Sequence, residues 1–243
     1  MSGSTGGYDV FIGDAGNDTL LGRSGNDVLR GGSGNDIIDG GMGIDLLDFS
    51  DGSAGITFTL VQSVSDTIID LSSAGLGADT YRNMEGVIGT RFNDVITGSA
   101  SNDVLSGGAG NDTISGGAGD DVIRGGGGKD ILTGGSGADT FIFESAADAG
   151  VYAGRDVITD FAIGEDKIDL KAIDGNTATA GWQSLGFVAA QNSSIVNNSV
   201  TWFHDVANNR TIVQGDVNGD GIADFQIELS GQVNLGASDF IFG

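Results

Sequence analysis

The chain has 243 residues, of which 45 are glycine, and it contains neither proline nor cysteine. Collagen-like proteins, which need proline, and disulfide scaffolds, which need cysteine, are therefore excluded, and no apolar run approaches the roughly 18 residues of a membrane span. The 34 acidic and 10 basic residues give a formal net charge of −24, which argues against nucleic acid or an anionic membrane surface as a partner.

The acidic residues are 30 aspartates and only four glutamates. A solvated acidic face usually contains both types, whereas the short Asp side chain suits tight turns and close cages of oxygen ligands. The imbalance indicates carboxylates that lie against the backbone.

The first segment, residues 1–48, contains a nine-residue repeat that reads STGGYDVFI, GDAGNDTLL, GRSGNDVLR, GGSGNDIID and GGMGIDLLD. The fourth position is Gly, as expected where the backbone needs a positive φ. Positions seven to nine predict a very short strand with one inward side chain, and the six residues before them predict a turn. Stacked units would bring the apolar eighth positions into one continuous ladder.

Residues 49–88 interrupt this register, because the 49 residues from Asp45 to Asp94 are not a multiple of nine. The alternating runs ITFTL and DTIIDL predict strands joined by Ser/Gly loops. We expect irregular coils that continue the stack, with protruding loops around residues 62–80. A separate domain is disfavoured, since about forty residues make a marginal core.

The repeat returns in residues 89–143 as GTRFNDVIT, GSASNDVLS, GGAGNDTIS, GGAGDDVIR, GGGGKDILT and GGSGADTFI. All eleven units of the two segments have Asp at position six. They also share a large apolar residue at position eight: Phe11, Leu20, Leu29, Ile38, Leu47, Ile96, Leu105, Ile114, Ile123, Leu132 and Phe141. Phe92 and Ser101 replace the fourth-position glycine, and we expect ion binding to be weakest beside them.

The last hundred residues, 144–243, lack the nine-residue period. The runs VTWFHD (200–205), RTIVQGD (210–216) and ADFQIEL (223–229) alternate as antiparallel strands do. Between the last two lies DVNGDGIAD (216–224), which places acids and Asn at the odd positions of an EF-hand-like loop. Position twelve of such a loop is Ile227 where a carboxylate is needed, so a β-hairpin turn that needs no ion is the stronger alternative.

The repeated units, GGAGNDTIS among them, resemble the nonapeptide repeat of RTX (repeats-in-toxin) proteins. The resemblance implies an all-β fold: a right-handed parallel β-roll, or nonapeptide-repeat solenoid, with an irregular mid-segment and a C-terminal β-rich cap. It also implies that two units make one coil and that several Ca²⁺ ions lie between stacked turns. The implied ligands are turn carbonyl oxygens and the sixth-position aspartates: Asp9, Asp18, Asp27, Asp36, Asp45, Asp94, Asp103, Asp112, Asp121, Asp130 and Asp139.

Electrostatics favours calcium over metal-free turns. Neighbouring coils in a β-ladder lie about 4.8 Å apart, and like charges at that spacing repel by about 0.9 kcal/mol in water and about 3.5 kcal/mol at an effective dielectric near 20. Bare carboxylates stacked in this way need cations, although Asp also makes turns without metal. All available ligands are hard oxygens, and the chain has one His and no Cys, which favours calcium.

The C-terminal pieces DVITDF, EDKIDL, DVNGDGIADFQIEL and SDFIF resemble the C-terminal regions of serralysin-type metalloproteases and of mannuronan epimerase repeat modules. In those families this region caps the roll and carries an uncleaved type I secretion signal. The resemblance therefore implies type I secretion machinery as a partner and a secreted, extracellular protein of a Gram-negative bacterium. The start MSGSTGG agrees with that route, since it has no basic or apolar region of a cleaved signal peptide.

The search for catalytic residues points to a chain that is not an enzyme. His204 is the only histidine, so a zinc-protease HExxH motif is impossible, and no GxSxG elbow exists to pair with it. We therefore expect a non-catalytic calcium-binding module that folds outside the cell and supports secretion. The alternatives are an ancillary module of a secreted metalloprotease or polysaccharide epimerase, or an adhesin segment. Binding of an extracellular polysaccharide would give a role to Trp182, Trp202 and Phe203, which the core or a hairpin would also explain.

Overall fold

The structure is a computed structural model that describes residues 6–177, 181, 183–189, 191 and 193–243, so Trp182 lies outside the described residues. Short strands make up almost all of its regular structure. In the first 88 residues they are β1 (Val10–Ile12), β2 (Thr19–Ser24), β3 (Val28–Arg30), β4 (Ile37–Met42), β5 (Leu46–Asp48), β6 (Thr57–Thr59), β7 (Thr67–Asp70), β8 (Ala78–Arg82) and β9 (Gly86–Ile88).

The second half of the chain continues in the same manner. Its strands are β10 (Val95–Thr97), β11 (Val104–Ala109), β12 (Thr113–Ala118), β13 (Val122–Gly127), β14 (Ile131–Ser136), β15 (Thr140–Ile142), β16 (Asp156–Ile158), β17 (Lys167–Asp169), β18 (Gly186–Phe187), β19 (Ser199–Asp205), β20 (Arg210–Asp216), β21 (Phe225–Ser230) and β22 (Phe240–Ile241). One short helix, α1 (Ala146–Ala149), and four 3₁₀ turns (Ser72–Ala74, Tyr152–Gly154, Val206–Asn208 and Ala237–Asp239) complete the described elements. None of the helices in the described part of the chain has the length and apolar character needed to span a bilayer.

Within each repeat block, consecutive strands alternate between the two sides of the roll, and strands 18 residues apart pair in parallel. Val10 pairs with Val28, and Val104 pairs with Val122. Two nine-residue units therefore make one coil, and the predicted parallel β-roll is confirmed. The strands form three sheets. A nine-stranded sheet on one side runs β1-β3-β5-β9-β11-β13-β15-β17-β22, and on the opposite side lie the four-stranded sheet β2-β4-β8-β7 and then the nine-stranded sheet β6-β10-β12-β14-β16-β21-β20-β19-β18.

The strands of the regular repeats are longer than the sequence predicts. Gly108 pairs with Gly126 and Ala109 with Gly127, so β11 and β13 extend over positions one to three of the following unit. The prediction of a six-residue turn before each strand is wrong for these units, because glycine backbones can also pair between coils. Glycine is needed at the second position in the strand and at the fourth position in the turn, where the φ values are positive: +115° at Gly117 and +110° at Gly119.

The core is the predicted ladder of eighth-position side chains. All eleven are at most 7% exposed, and most are fully buried. Because the two sheets face each other, the ladder of one sheet packs against the ladder of the other. The same hydrophobic cluster continues through both ends of the chain, from Phe11 to Phe240.

The irregular segment between the repeat blocks contributes strands to all three sheets. β9 lies between β5 and β11, while β6 pairs in parallel with β10. β7 and β8 form an antiparallel pair beside β4. These residues therefore continue the roll rather than stand apart from it, while the boundaries at residues 48, 88 and 143 stay predictions.

The C-terminal residues close the roll. β16 and β17 add one further strand to each sheet, and β22 pairs with β17 at the end of the first sheet. β19, β20 and β21 form an antiparallel meander that joins the second sheet through the parallel pairing of β21 with β16. The predicted β-rich cap is thus built directly onto the two sheets.

Candidate metal sites

The sixth-position aspartates end the turns, one residue before each inward-facing strand. Nine of them are at most 1% exposed although they carry carboxylates: Asp27, Asp36, Asp45, Asp94, Asp103, Asp112, Asp121, Asp130 and Asp139. Asp9 and Asp18, which lie in the first described coil, are partly exposed. Because consecutive units alternate between the sheets, the aspartates form a row along each edge of the roll.

A hydrogen bond joins each aspartate to the aspartate one coil further on. The backbone N–H of the first donates to Oδ1 of the second, with N···O distances of 2.8–2.9 Å. The pairs are Asp9–Asp27, Asp18–Asp36, Asp27–Asp45, Asp94–Asp112, Asp103–Asp121, Asp112–Asp130 and Asp121–Asp139. One carboxylate oxygen therefore holds the register between coils.

The second carboxylate oxygen is buried and has no hydrogen-bond partner in most of these residues. This is true of Oδ2 in Asp27, Asp36, Asp45, Asp112, Asp121, Asp130 and Asp139, and it is also true of Asp156, which follows the repeats. A buried polar oxygen without a partner costs about 1–3 kcal/mol, and more if it is charged. The repetition of the same orphaned atom along both edges is what a row of bound cations would explain.

First-position glycines leave space beside these oxygens. A Cβ at Gly107 would overlap Oδ2 of Asp112 and lie 2.7 Å from the carbonyl oxygen of Gly125 in the next coil. A carboxylate oxygen and a carbonyl oxygen thus converge on a point that only glycine leaves open. Hard oxygen donors of these two kinds are the ligands of calcium.

Carbonyl oxygens must complete any such site. Among the described residues, no three His, Cys, Asp or Glu side chains come together as a metal-binding group. The edges of the roll therefore fit an ion that takes neutral backbone oxygens beside one or two carboxylates, which Ca²⁺ does. The residues present fit calcium in this sense.

The electrostatics of the edges disfavours bare carboxylates. Burial, reinforced by the neighbouring aspartates, raises the pKa of Asp112 and of Asp121 to about 7. The same causes raise the pKa of Asp156 to about 8. In the absence of a cation, these carboxyl groups thus bind a proton at pH values well above the ordinary range for Asp, and a metal ion would displace that proton.

The rows extend beyond the repeats to four acids that the nine-residue period does not identify. The N–H groups of Asp36, Asp45, Asp130 and Asp139 donate to Asp79, Glu85, Asp156 and Asp166 respectively. Short identical sequences could have identified two of the four acids. GADT occurs at 77–80 as at 137–140, and DVIT occurs at 156–159 as at 94–97.

The loop at 216–224 closes on its own backbone. Asp216 accepts hydrogen bonds from the N–H groups of Asn218, Gly219 and Gly221, and Asp224 accepts one from Val217. The loop connects β20 with β21 as the hairpin alternative predicts. Glu228 is engaged by Arg155 and Arg210 rather than by the loop.

His204 and Trp202, which were considered for catalysis and sugar stacking, have structural contacts. Nε2 of His204 lies 3.1 Å from the carbonyl oxygen of Val233, and Asp205 bonds to Asn208 and Arg210 rather than to the histidine. The indole of Trp202 is 4% exposed and belongs to the core. Trp202 therefore has no face free for a sugar.

The stacked nonapeptide coils and their rows of buried aspartates define a calcium-binding RTX β-roll protein. Two family models match the sequence: "Peptidase M10 serralysin C terminal" over residues 39–242, and "RTX calcium-binding nonapeptide repeat (4 copies)" over residues 5–47. The chain belongs to the serralysin C-terminal family, since the match covers most of its length. The second model describes a calcium-binding repeat.

Among solved structures, the chain is similar to two subunits of the mannuronan C5-epimerase of Azotobacter vinelandii. The AlgE6R2 subunit shares 28% identity over 63% of this chain and 89% of its own, with a TM-score of 0.48. The AlgE6R3 subunit shares 28% identity over 62% of this chain and 78% of its own, with a TM-score of 0.47.

The extracellular lipase LipA of Serratia marcescens is similar at 19% identity, over 99% of this chain and 39% of the lipase, with a TM-score of 0.41. A comparison with curated proteins finds no match.

Proposed function

We propose that the chain is a non-catalytic RTX module that folds when it binds calcium outside the cell. The observation that carries the proposal is the row of buried, unpartnered Oδ2 atoms along both edges of the roll. Bare carboxylates in these positions repel one another and lose their hydration, so the folded roll needs cations. The proposed ligands are the turn carbonyl oxygens, the sixth-position aspartates other than Asp94 and Asp103, and Asp156.

Calcium affinity links folding to location. Extracellular calcium modules bind with dissociation constants of roughly 0.1–1 mM, far above the calcium level at which cytosolic sensors work. The chain would stay unfolded inside the cell and fold after export. We propose export by type I secretion machinery of a Gram-negative bacterium, with the signal near the extreme C-terminus. The family match supports this proposal, and segments 1–48, 49–88, 89–143 and 144–243 are its proposed parts.

Far-UV circular dichroism tests calcium-dependent folding. We expect little β signal in chelator and a cooperative gain at millimolar calcium. Magnesium should substitute poorly, because its strict octahedral coordination does not suit carbonyl-rich turns. Equal β content in chelator and in calcium would refute the proposal.

The family match also favours a second role, as the ancillary C-terminal module of a secreted enzyme that aids polymer binding. With a net charge of −24, contact with an acidic polysaccharide would need bridging cations. Retention of the chain on immobilised extracellular polysaccharide in calcium, compared with retention in chelator, tests this role. Free passage through the column in both conditions would reject it.

A further inference from the structure

Two consecutive turns satisfy their aspartates without an ion. Thr90 and Ser99 occupy the second position of units 89–97 and 98–106, where the following regular units have glycine. The N–H of Thr90 donates to Oδ2 of Asp94, and its hydroxyl donates to Oδ1 at 2.9 Å. Ser99 bonds to Asp103 in the same way through its N–H and its hydroxyl.

Burial does not explain the difference from the regular units. Asp94 and Asp103 are 1% exposed, as are Asp112 and Asp121. Oδ2 has no partner in the latter two, whereas it accepts a backbone hydrogen bond in the former two. The two pairs thus differ in what satisfies the carboxylate and not in how deeply it lies.

The residues that replace the fourth-position glycines take part in the same hydrogen-bond arrangement. The N–H of Phe92 donates to the hydroxyl of Thr90, and the N–H of Ser101 donates to the hydroxyl of Ser99. Each hydroxyl therefore accepts from position four and donates to the carboxylate at position six, a side-chain bridge across the turn. Unlike Gly108, Gly110, Gly117 and Gly119, the residues at these two positions do not have a positive φ.

The irregular segment adds a third donor to each carboxylate. The N–H of Ile56 donates to Oδ1 of Asp94 at 2.7 Å, and Nε2 of Gln62 donates to Oδ1 of Asp103 at 2.6 Å. A carboxylate that accepts three hydrogen bonds has little left to offer a cation, because three of its roughly four lone-pair sites are already engaged.

We infer that Thr90 and Ser99 take the place of calcium in the coil 89–106. This coil binds no ions and separates two calcium-binding blocks. The inference rests on the proposed function, because it specifies where along the roll the ions are absent. Units 89–97 and 98–106 lie on opposite edges, so both rows of ions are interrupted at the same coil. Asp94 and Asp103 then hold the turns together and do not ligate calcium.

The number of bound ions tests this inference, measured by equilibrium dialysis with calcium on the full chain. The double variant Asp94→Asn and Asp103→Asn should bind as many ions as the wild type. The matched double variant Asp112→Asn and Asp121→Asn makes the same change in charge one coil further on, and it should bind fewer. Equal losses in the two variants would overturn the inference, whereas a wild-type chain that binds no calcium would overturn the proposed function.

A gain of sites gives an independent test. Replacing Thr90, Phe92, Ser99 and Ser101 by glycine converts the coil 89–106 into regular GGxGND turns. The quadruple variant should bind more calcium than the wild type and require more calcium to fold. An unchanged number of ions in a folded variant would contradict the inference. If this variant does not fold, the comparison of the two asparagine double variants still tests the inference.

Discussion

Asp103 and Asp121 lie one coil apart, and the backbone N–H of Asp103 donates a 2.8 Å hydrogen bond to Oδ1 of Asp121. Oδ2 of Asp121 is buried and accepts no hydrogen bond. The two oxygens of one side chain thus have different tasks: Oδ1 fixes the register between coils and Oδ2 is open to a cation. An Asn side chain at this position would keep the Oδ1 hydrogen bond between coils but would lose the Oδ2 oxygen that is open to a cation.

Asp121→Asn should therefore preserve the roll while weakening its response to calcium. At about 2 mM calcium, a site with a dissociation constant of about 0.1 mM contributes about 1.8 kcal/mol, which the variant should lose. Thermal unfolding in calcium measures this loss, with Asp120→Asn as the control. Asp120 is the exposed neighbour, and its Oδ1 likewise accepts a backbone N–H. A similar loss of stability in both variants would show that the site is not at Asp121.

Gly116→Ala should destabilise the roll, because the added methyl group would occupy space that the ion-binding edge needs. A Cβ there would overlap Oδ2 of Asp121 and lie 2.5 Å from the carbonyl oxygen of Gly134. Overpacking of this kind costs about 1–3 kcal/mol, and it also obstructs the converging oxygens. Gly127→Ala is the matched control, because nothing lies within 4 Å of its Cβ position. Calcium titrations followed by circular dichroism should shift to higher calcium for Gly116→Ala only.

The nine-residue pattern predicts the strands, the inward ladder and eleven acids of the two rows, because each unit repeats the same local interactions. It does not predict where the rows continue. Asp36 is followed in its row by Asp79, 43 residues later, and Asp130 by Asp156, 26 residues later, where the regular spacing is 18. Neighbouring acids in a row are those that lie on adjacent coils. An inserted loop changes their separation in sequence without changing the contact between the coils.

The role of Thr90 also depends on three-dimensional geometry. The sequence indicates weak ion binding where Phe92 and Ser101 replace glycine, but the pattern does not indicate that hydroxyls two residues earlier reach the carboxylates. That contact follows from the backbone conformation of these turns, which lack the positive φ values that glycine adopts at the same two positions of the regular units.

Acidification should stabilise the calcium-free chain. Burial and neighbouring like charges raise the pKa of Asp112 and Asp121 to about 7 and that of Asp156 to about 8, above the unfolded value of about 3.9. The folded state then binds more protons than the unfolded state. Its stability from these groups is fully present below about pH 4 and is lost as pH rises through 7 to 8.

Far-UV circular dichroism in chelator at pH 5.5 and pH 8 measures this effect, and we expect more residual β signal at pH 5.5. In saturating calcium the trend should weaken or reverse, because protons compete with the ion for the same oxygens. A chelated chain that is more stable at pH 8 would contradict the assignment of raised pKa values to the aspartate rows.

Removal of Ser238–Gly243 should block type I export while the calcium-dependent β signal remains. The removed residues include β22, whose Phe240 is 6% exposed and packs on Phe187 with ring centroids 5.2 Å apart. The truncated chain loses this packing and the hydrogen bond from Leu170 N–H to the carbonyl oxygen of Ile241. Burial of a phenylalanine stabilises by about 1.5–3 kcal/mol, so the melting temperature should fall, but the repeat strands still pair with one another.

Loss of export could also follow from lower stability, and Phe187→Ala separates the two causes. This variant removes the other ring of the same contact and leaves the C-terminal sequence intact, so it should lower the melting temperature without blocking secretion. The measurement is the amount of each chain in the medium of cells that carry a type I exporter, relative to the amount in the cells. Normal export of the truncated chain would show that the signal lies elsewhere. A block in both variants would show that fold stability limits secretion.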